Sequence, residues 1–165
     1  MREYKETFLA LIQENKGILI KICNAYCSQK ADKDDLAQEI VFNLWKSFET
    51  YRPHYKVSTW MYQIALNVAI SFYRKEKRNL NFTAYSEELI VFENDGDNSL
   101  EKEGNLQILE TFIQELNEID KSIMLLYLDD KSYKEIAICL GITETNIATK
   151  ISRIKTNLKS KFSKR

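Results

Sequence analysis

The string SYKEIAICLGITETNIATKISRIKTNLKSKF, Ser132 to Phe162, reads as two helices joined by a tight turn. The first, about Tyr133 to Leu140, carries Ile136, Ala137 and Leu140 at helical spacing. Gly141 supplies the left-handed backbone that a sharp exit needs, and Thr143 is placed to cap the next helix. That second helix repeats Ile147, Ile151, Ile154 and Leu158 on one stripe. Thr145, Thr149, Ser152, Arg153 and Thr156 fall on the opposite face, where short hydroxyls and one guanidinium can approach base edges and phosphates without bulk in the way. Ala137 suits a close crossing of the two helices. Any two-helix hairpin of a small bundle shares part of this pattern. The end of the segment argues for a helix-turn-helix that meets DNA, because Lys150, Arg153, Lys155, Lys159, Lys161, Lys164 and Arg165 have almost no acidic company.

Working outward, four glycines and one proline in 165 residues, with 44% apolar and aromatic content, point to an all-α chain with real cores. No apolar run is long enough to span a membrane. The N-terminus, MREYKETFLALIQENKG, lacks the apolar core and cleavage site of a signal peptide, so a cytoplasmic protein without membrane insertion is expected. Cys23, Cys27 and Cys139 are expected to be small buried hydrophobes rather than ligands. With only His54 to join them, neither a metal nor another cofactor is expected. The zero net charge conceals opposed blocks: +5 over residues 51–82, −11 over 83–130 and +7 over 131–165. Two basic surfaces separated by an acidic stretch suggest two nucleic-acid contacts.

The periodicity predicts helices from about Glu3 to Ser28, from a cap-like Asp32 to Phe48, and from a cap at Ser58 or Thr59 to Arg78. Further helices are predicted near Leu106–Leu116 and Lys121–Leu128, ahead of the helix-turn-helix pair. The organisation expected is two small helical domains, residues 1–80 and 105–165, joined by a flexible acidic linker over 81–104. Within that linker Leu89 to Phe92 is apolar enough to dock.

In the helix after Ser58, Met61, Ile64, Ala65, Val68 and Phe72 make a core face. Another edge carries Trp60, Gln63, Asn67, Ser71, Arg74 and Arg78. An indole, two amides and two guanidiniums in a row suit a strand with exposed bases and phosphates. That helix alone leaves a second reading open, in which Trp60 is core and RKEKR is a solvated end favoured by the helix dipole. The preceding helix buries Leu36, Ala37, Ile40, Val41, Leu44 and Phe48. It presents Asp35, Gln38, Glu39 and Lys46 outward, by default as a solvated face.

These strings match a family. DKDDLAQEIVFNLW, Asp32 to Trp45, resembles the second conserved region of bacterial RNA polymerase sigma factors. STWMYQIALNVAISFYRKEKR, Ser58 to Arg78, is similar to the promoter-melting helix of the same family, and Leu116 to Leu158 is similar to its fourth region. The small size, without an intervening third domain, points to the extracytoplasmic-function group. The resemblance implies a transcription initiation factor that directs core polymerase to a promoter and helps melt it. The implied partners are the clamp of the polymerase's largest subunit, the flap of the second-largest, promoter DNA and an anti-sigma protein.

By position, Asp35, Gln38 and Glu39 correspond to clamp contacts. Asn67 corresponds to the residue lining a pocket for a flipped minus-ten base, with Ser71 one turn on and the Tyr55–Ser58 loop beside it. Trp60, Gln63, Arg74 and Arg78 extend that minus-ten edge. Thr149, Ser152 and Arg153 match positions that face the minus-thirty-five element, with Thr145 and Lys150 beside them. Ala148 stands where the family often has a basic residue and Lys150 where it has Arg, which implies a weaker or different base readout. The acidic linker is expected to mimic nucleic acid in the polymerase channels or to act as a plain tether.

Two other functions are compatible with parts of the pattern. A self-sufficient helix-turn-helix repressor with an N-terminal oligomerisation bundle would bind duplex alone as a dimer. An enzyme is disfavoured by the single histidine and by the lack of a phosphate-cradling glycine loop or a clustered acid pair.

Overall fold

A computed structural model of the chain describes residues 1–52, 54, 56–82 and 102–163, and the acidic linker, apart from its ends, lies outside them. The described residues form helices α1 (Arg2–Glu14), α2 (Lys16–Tyr26), α3 (Lys30–Phe48), α4 (Val57–Phe82), α5 (Lys102–Glu115), α6 (Glu118–Leu128), α7 (Tyr133–Leu140) and α8 (Glu144–Ser163), with no strand among them.

The predicted first helix is broken in two at Asn15. Its side-chain Nδ2 donates to the Leu11 carbonyl at 2.9 Å and its backbone N–H bonds both Leu11 and Ile12. An asparagine that bonds its own preceding turn competes with helix continuation, and Gly17 just beyond adds little to hold the helix straight. The expected cap Asp32 lies instead in the first turn of α3, whose cap position is Gln29, and there its carboxylate meets the positive end of the helix. Ser58 and Thr59 likewise fall inside the first turn of α4 rather than before it.

The C-terminal elements follow the local signals closely. Asn117 caps α6 by accepting from the Asp120 N–H. Ser132 and Glu135 close a reciprocal capping box at α7. Gly141 ends α7 at φ 68°, and Thr143 accepts from the Asn146 N–H at 3.2 Å.

Helix α4 organises the rest. Its 26 residues span about 39 Å, and α2, α3, α6 and α7 all pack against it. Leu36, Ile40 and Leu44 of α3 and Met61 and Ala65 of α4 are all fully buried in the same core cluster. Packing by four helices explains why Tyr62, Leu66, Ala69 and Ile70 are buried although the single core stripe read from sequence omits them. Ile64, Val68 and Phe72 of that stripe are only half-buried. The buried side chains of both halves form one continuous cluster, from Phe8 of α1 to Ile154 of α8.

Gly141 has open space where a Cβ would project, so only its backbone conformation resists substitution. Gly141→Ala is expected to lower unfolding free energy by about 1–2 kcal/mol, measured by urea denaturation. A neutral result would show that the turn relaxes out of the left-handed region.

Candidate nucleic-acid and partner interfaces

The edge of α4 read from sequence is graded in exposure. Asn67, Ser71, Arg74 and Arg78 are exposed, while Gln63 and Trp60 are half-buried. The Trp60 ring packs on Tyr51 at 4.8 Å and on Phe48 at 6.3 Å between centroids. The indole is therefore wedged at the start of the edge with one flank against the core. Arg74 is engaged: its Nε donates to Glu118 Oε1 of α6 at 2.9 Å. That bond is the main reason the Glu118 carboxyl is held below the usual carboxylate range. Tyr55, in the loop expected beside this edge, lies outside the described residues.

On α8, Ile147, Ile151 and Ile154 are at most 2% exposed and anchor the helix to α6 and α7. The opposite face presents Thr145, Thr149, Ser152, Arg153 and Thr156 to solvent. Thr149 Oγ1 donates to the Thr145 carbonyl and Thr156 Oγ1 to the Ser152 carbonyl, each at 3.0 Å. Each hydroxyl proton is thus spent within the helix, leaving the oxygen lone pairs to accept from an incoming donor. Lys150 is set apart from this group, half-buried with its ammonium 3.7 Å from Asp120. Lys155 leans over the Tyr127 ring at 4.6 Å.

On α3, Asp35, Gln38, Glu39 and Lys46 are all exposed on one face. Phe42 and Trp45 join them, at 58% and 37% exposure. With Leu9 and Phe8 of α1 they line an open apolar groove of about 520 Å³ whose rim includes Gln38 and Lys5. The sequence reading passed over both aromatics because α3 has enough aliphatic residues to fill its core stripe. Their signal was an apolar surplus on the polar side of the helix. Contiguous apolar surface rimmed by polar groups marks a docking site.

The three cysteines are buried and reduced. Burial pushes the Cys27 thiol up to about 12 and the Cys139 thiol up to about 11, so neither is a thiolate near neutral pH. Among the described residues no group of three or more His, Cys, Asp or Glu is placed to hold a metal ion, and no helix is long and apolar enough to cross a membrane.

Comparison with known proteins concerns the two halves of the chain and its fold. The family description "Sigma-70 region 2" matches residues 11–79, and "Sigma-70, region 4" matches residues 106–158. ECF RNA polymerase sigma factor SigM of Bacillus subtilis (strain 168) is 27% identical over 134 residues, 79% of this chain and 80% of its own. RNA polymerase sigma factor SigV of the same organism is 26% identical over 150 residues, 90% of this chain and 87% of its own. Among solved structures, CnrH in complex with the cytosolic domain of CnrY superposes with TM-score 0.66 at 16% identity, covering 96% of this chain and 89% of that one. The sigma factor RpoE of Bartonella quintana, in complex with the anti-sigma factor NepR, gives TM-score 0.66 at 17% identity, covering 99% and 98%. The structural likeness is one of fold.

The outward face of α8 is solvent-exposed and is expected to contribute little to stability. Thr149→Ala and Arg153→Ala are expected to change unfolding free energy by no more than about 0.5 kcal/mol. Ile151→Ala, one residue from the face but 1% exposed, is expected to cost about 2–5 kcal/mol. Comparable losses at all three positions in denaturant titrations would show that the exposed face is packed in solution.

Proposed function

We propose a division of labour from one premise: the chain belongs to the sigma-70 family of RNA polymerase sigma factors and is of the ECF type. It is a transcription initiation factor whose partners are core RNA polymerase and promoter DNA. The family is not in general a class of enzymes, and we read this chain as having no catalytic activity of its own. We assign it to the cytoplasm, where polymerase and promoter are found.

Residues 1–80 act as the region that binds core polymerase and the minus-ten element, 81–104 as the linker, and 105–165 as the region that binds the minus-thirty-five element. What carries this reading is the order of the two family regions on one chain, together with an exposed polar face in each half.

Asp35, Gln38 and Glu39 contact the clamp of the largest subunit, and the adjoining groove with Phe42 and Trp45 adds apolar contact to their hydrogen bonds. Support comes from the exposure of all five side chains on one face of α3. Trp60, Gln63, Asn67, Ser71, Arg74 and Arg78 take the minus-ten strand, the amides pairing with base edges and the cations following phosphate. Thr145, Thr149, Ser152 and Arg153 meet the minus-thirty-five duplex, and Lys150 contributes once released from Asp120. The C-terminal half also contacts the flap of the second-largest subunit. An anti-sigma protein regulates the chain, in keeping with the complexes in which both structural neighbours were solved.

The direct test is run-off transcription with core polymerase and the DNA upstream of the chain's own gene, where promoter-dependent transcripts are expected. Binding of duplex by the chain alone as a dimer, with no transcript, would favour a repressor. Replacing Gln38 and Glu39 with Ala is expected to weaken co-purification with core while leaving the fold intact, and unchanged co-purification removes that face from the contact. Asn67→Ala is expected to bind duplex promoter with core nearly normally yet open it poorly. A carboxamide pairs with an unstacked base edge through both donor and acceptor, and captured bases exist only after strand separation. Weak permanganate reactivity at the minus-ten element, partly rescued by a pre-opened bubble, is the expected result. Full reactivity on ordinary duplex would make Asn67 a surface amide only.

A further inference from the structure

Helix α8 is held by its buried stripe, Ile147, Ile151 and Ile154, which sets the direction of the side chains on its free face. Its cations are drawn away from the start of that face. Lys150 is half-buried with its ammonium 3.7 Å from Asp120, and Lys155 lies over the Tyr127 ring. The exposed side chains of the first two turns are Glu144, Thr145, Asn146 and Thr149, none of them a cation.

Among these, Thr149 has its hydrogen-bonding polarity fixed. Its Oγ1 lies 3.0 Å from the Thr145 carbonyl, and a carbonyl only accepts, so the hydroxyl proton points back along the helix. The oxygen is left with lone pairs and no donor for an incoming group. The same bond selects one rotamer of a β-branched side chain, so the direction of the Cγ2 methyl is fixed with it.

We propose that Thr149 reads one adenine·thymine pair of the duplex, its Oγ1 accepting from the adenine N6 amino group and its methyl packing on the thymine C5-methyl. The inference rests on the reading of α8 as the duplex-binding helix given above.

Position and groove chemistry carry it. Thr149 stands in the second turn of a helix that begins at Glu144, and reading helices present their N-terminal turns to base edges. In the major groove only adenine N6 and cytosine N4 donate, whereas guanine N7 and O6 and thymine O4 accept. An acceptor-only oxygen against a guanine edge would desolvate both groups and pair neither. The methyl then separates the two amino-bearing bases, because only the adenine pair brings a C5-methyl to the same groove. Arg153, one turn further on, is exposed and carries donors only, so it cannot take the amino group in place of Thr149.

The test uses the full chain with core polymerase and a duplex library randomised over the minus-thirty-five element. Wild type is expected to enrich adenine·thymine at one position that Thr149→Val, which keeps the shape and the methyl but removes the oxygen, flattens while sparing the others. Thr149→Ser, which keeps the oxygen and removes the methyl, is expected to admit adenine and cytosine alike at that position. Replacing that adenine with purine, which lacks the amino group, is expected to weaken wild type roughly five- to thirtyfold. The same replacement is expected to leave Thr149→Val within about twofold, a pattern that a merely structural role of Thr149 would not produce. Replacing the thymine with uracil is expected to weaken wild type and not Thr149→Ser. Flattening by Thr149→Val at a position where wild type selects guanine or cytosine would overturn the assignment, as would equal wild-type binding of purine and adenine. Enrichment altered by Arg153→Ala but at no position by Thr149→Val would overturn this inference and leave the duplex-reading helix standing. A wild-type chain that selects nothing across the element would overturn the reading of α8 itself.

Discussion

Tyr62 is fully buried on α4, and its hydroxyl donates to Asp129 at the far end of α6. A phenol taken out of water without a partner is costly, so this side chain is satisfied only while the C-terminal helices are docked. Burial and the adjacent carboxylate raise the Tyr62 pKa well above the ordinary tyrosine range, keeping the hydroxyl a donor throughout the physiological range. One hydrogen bond therefore joins the burial of the longest helix to the position of the second half of the chain. Around it, the Cys139 thiol approaches the Thr59 carbonyl at 3.5 Å and Lys131 reaches Ser58. The start of α4 is thus held from the α7 side as well as from α3.

This arrangement separates surfaces by role. The outward faces of α3 and α8 take no part in the docking and stay exposed while it holds. The α4 edge is divided: Asn67, Ser71 and Arg78 face solvent, and Arg74 is committed to Glu118. A helix packed by four others has only a narrow strip left for partners, and in α4 that strip is the polar edge.

Much of the fold is legible in local chemistry. The left-handed Gly141 and the cap at Thr143 are each decided within four residues and form as the sequence implies, and the capping box at Ser132 and Glu135, equally local, is added by the structure. The core stripe of α8 is similarly local, because α8 buries one face only. The reading is incomplete where a residue's role depends on neighbours that periodicity does not name. The break at Asn15 depends on a side-chain bond competing with the helix ladder. Tyr62, Leu66, Ala69 and Ile70 fall outside the single stripe that fits a surface helix, because α4 is packed by four other helices. Phe42 and Trp45 look like core from composition, yet the aliphatic residues of α3 suffice to fill the space against α4 and leave both aromatics toward the groove.

The sequence by itself determined the helical class, the turn and caps of the C-terminal pair, the order of the two motif sets and hence the family. These follow from 3.6-residue periodicity and from bonds between residues three or four apart. Tertiary structure alone decided that Arg74 meets Glu118, that Tyr62 meets Asp129 and that Lys121 is enclosed by Tyr26 and Tyr73. Those pairings join positions 44 to 95 residues apart. No local pattern encodes them, because they arise only when the apolar faces of separate helices are buried together and their polar rims are brought into register.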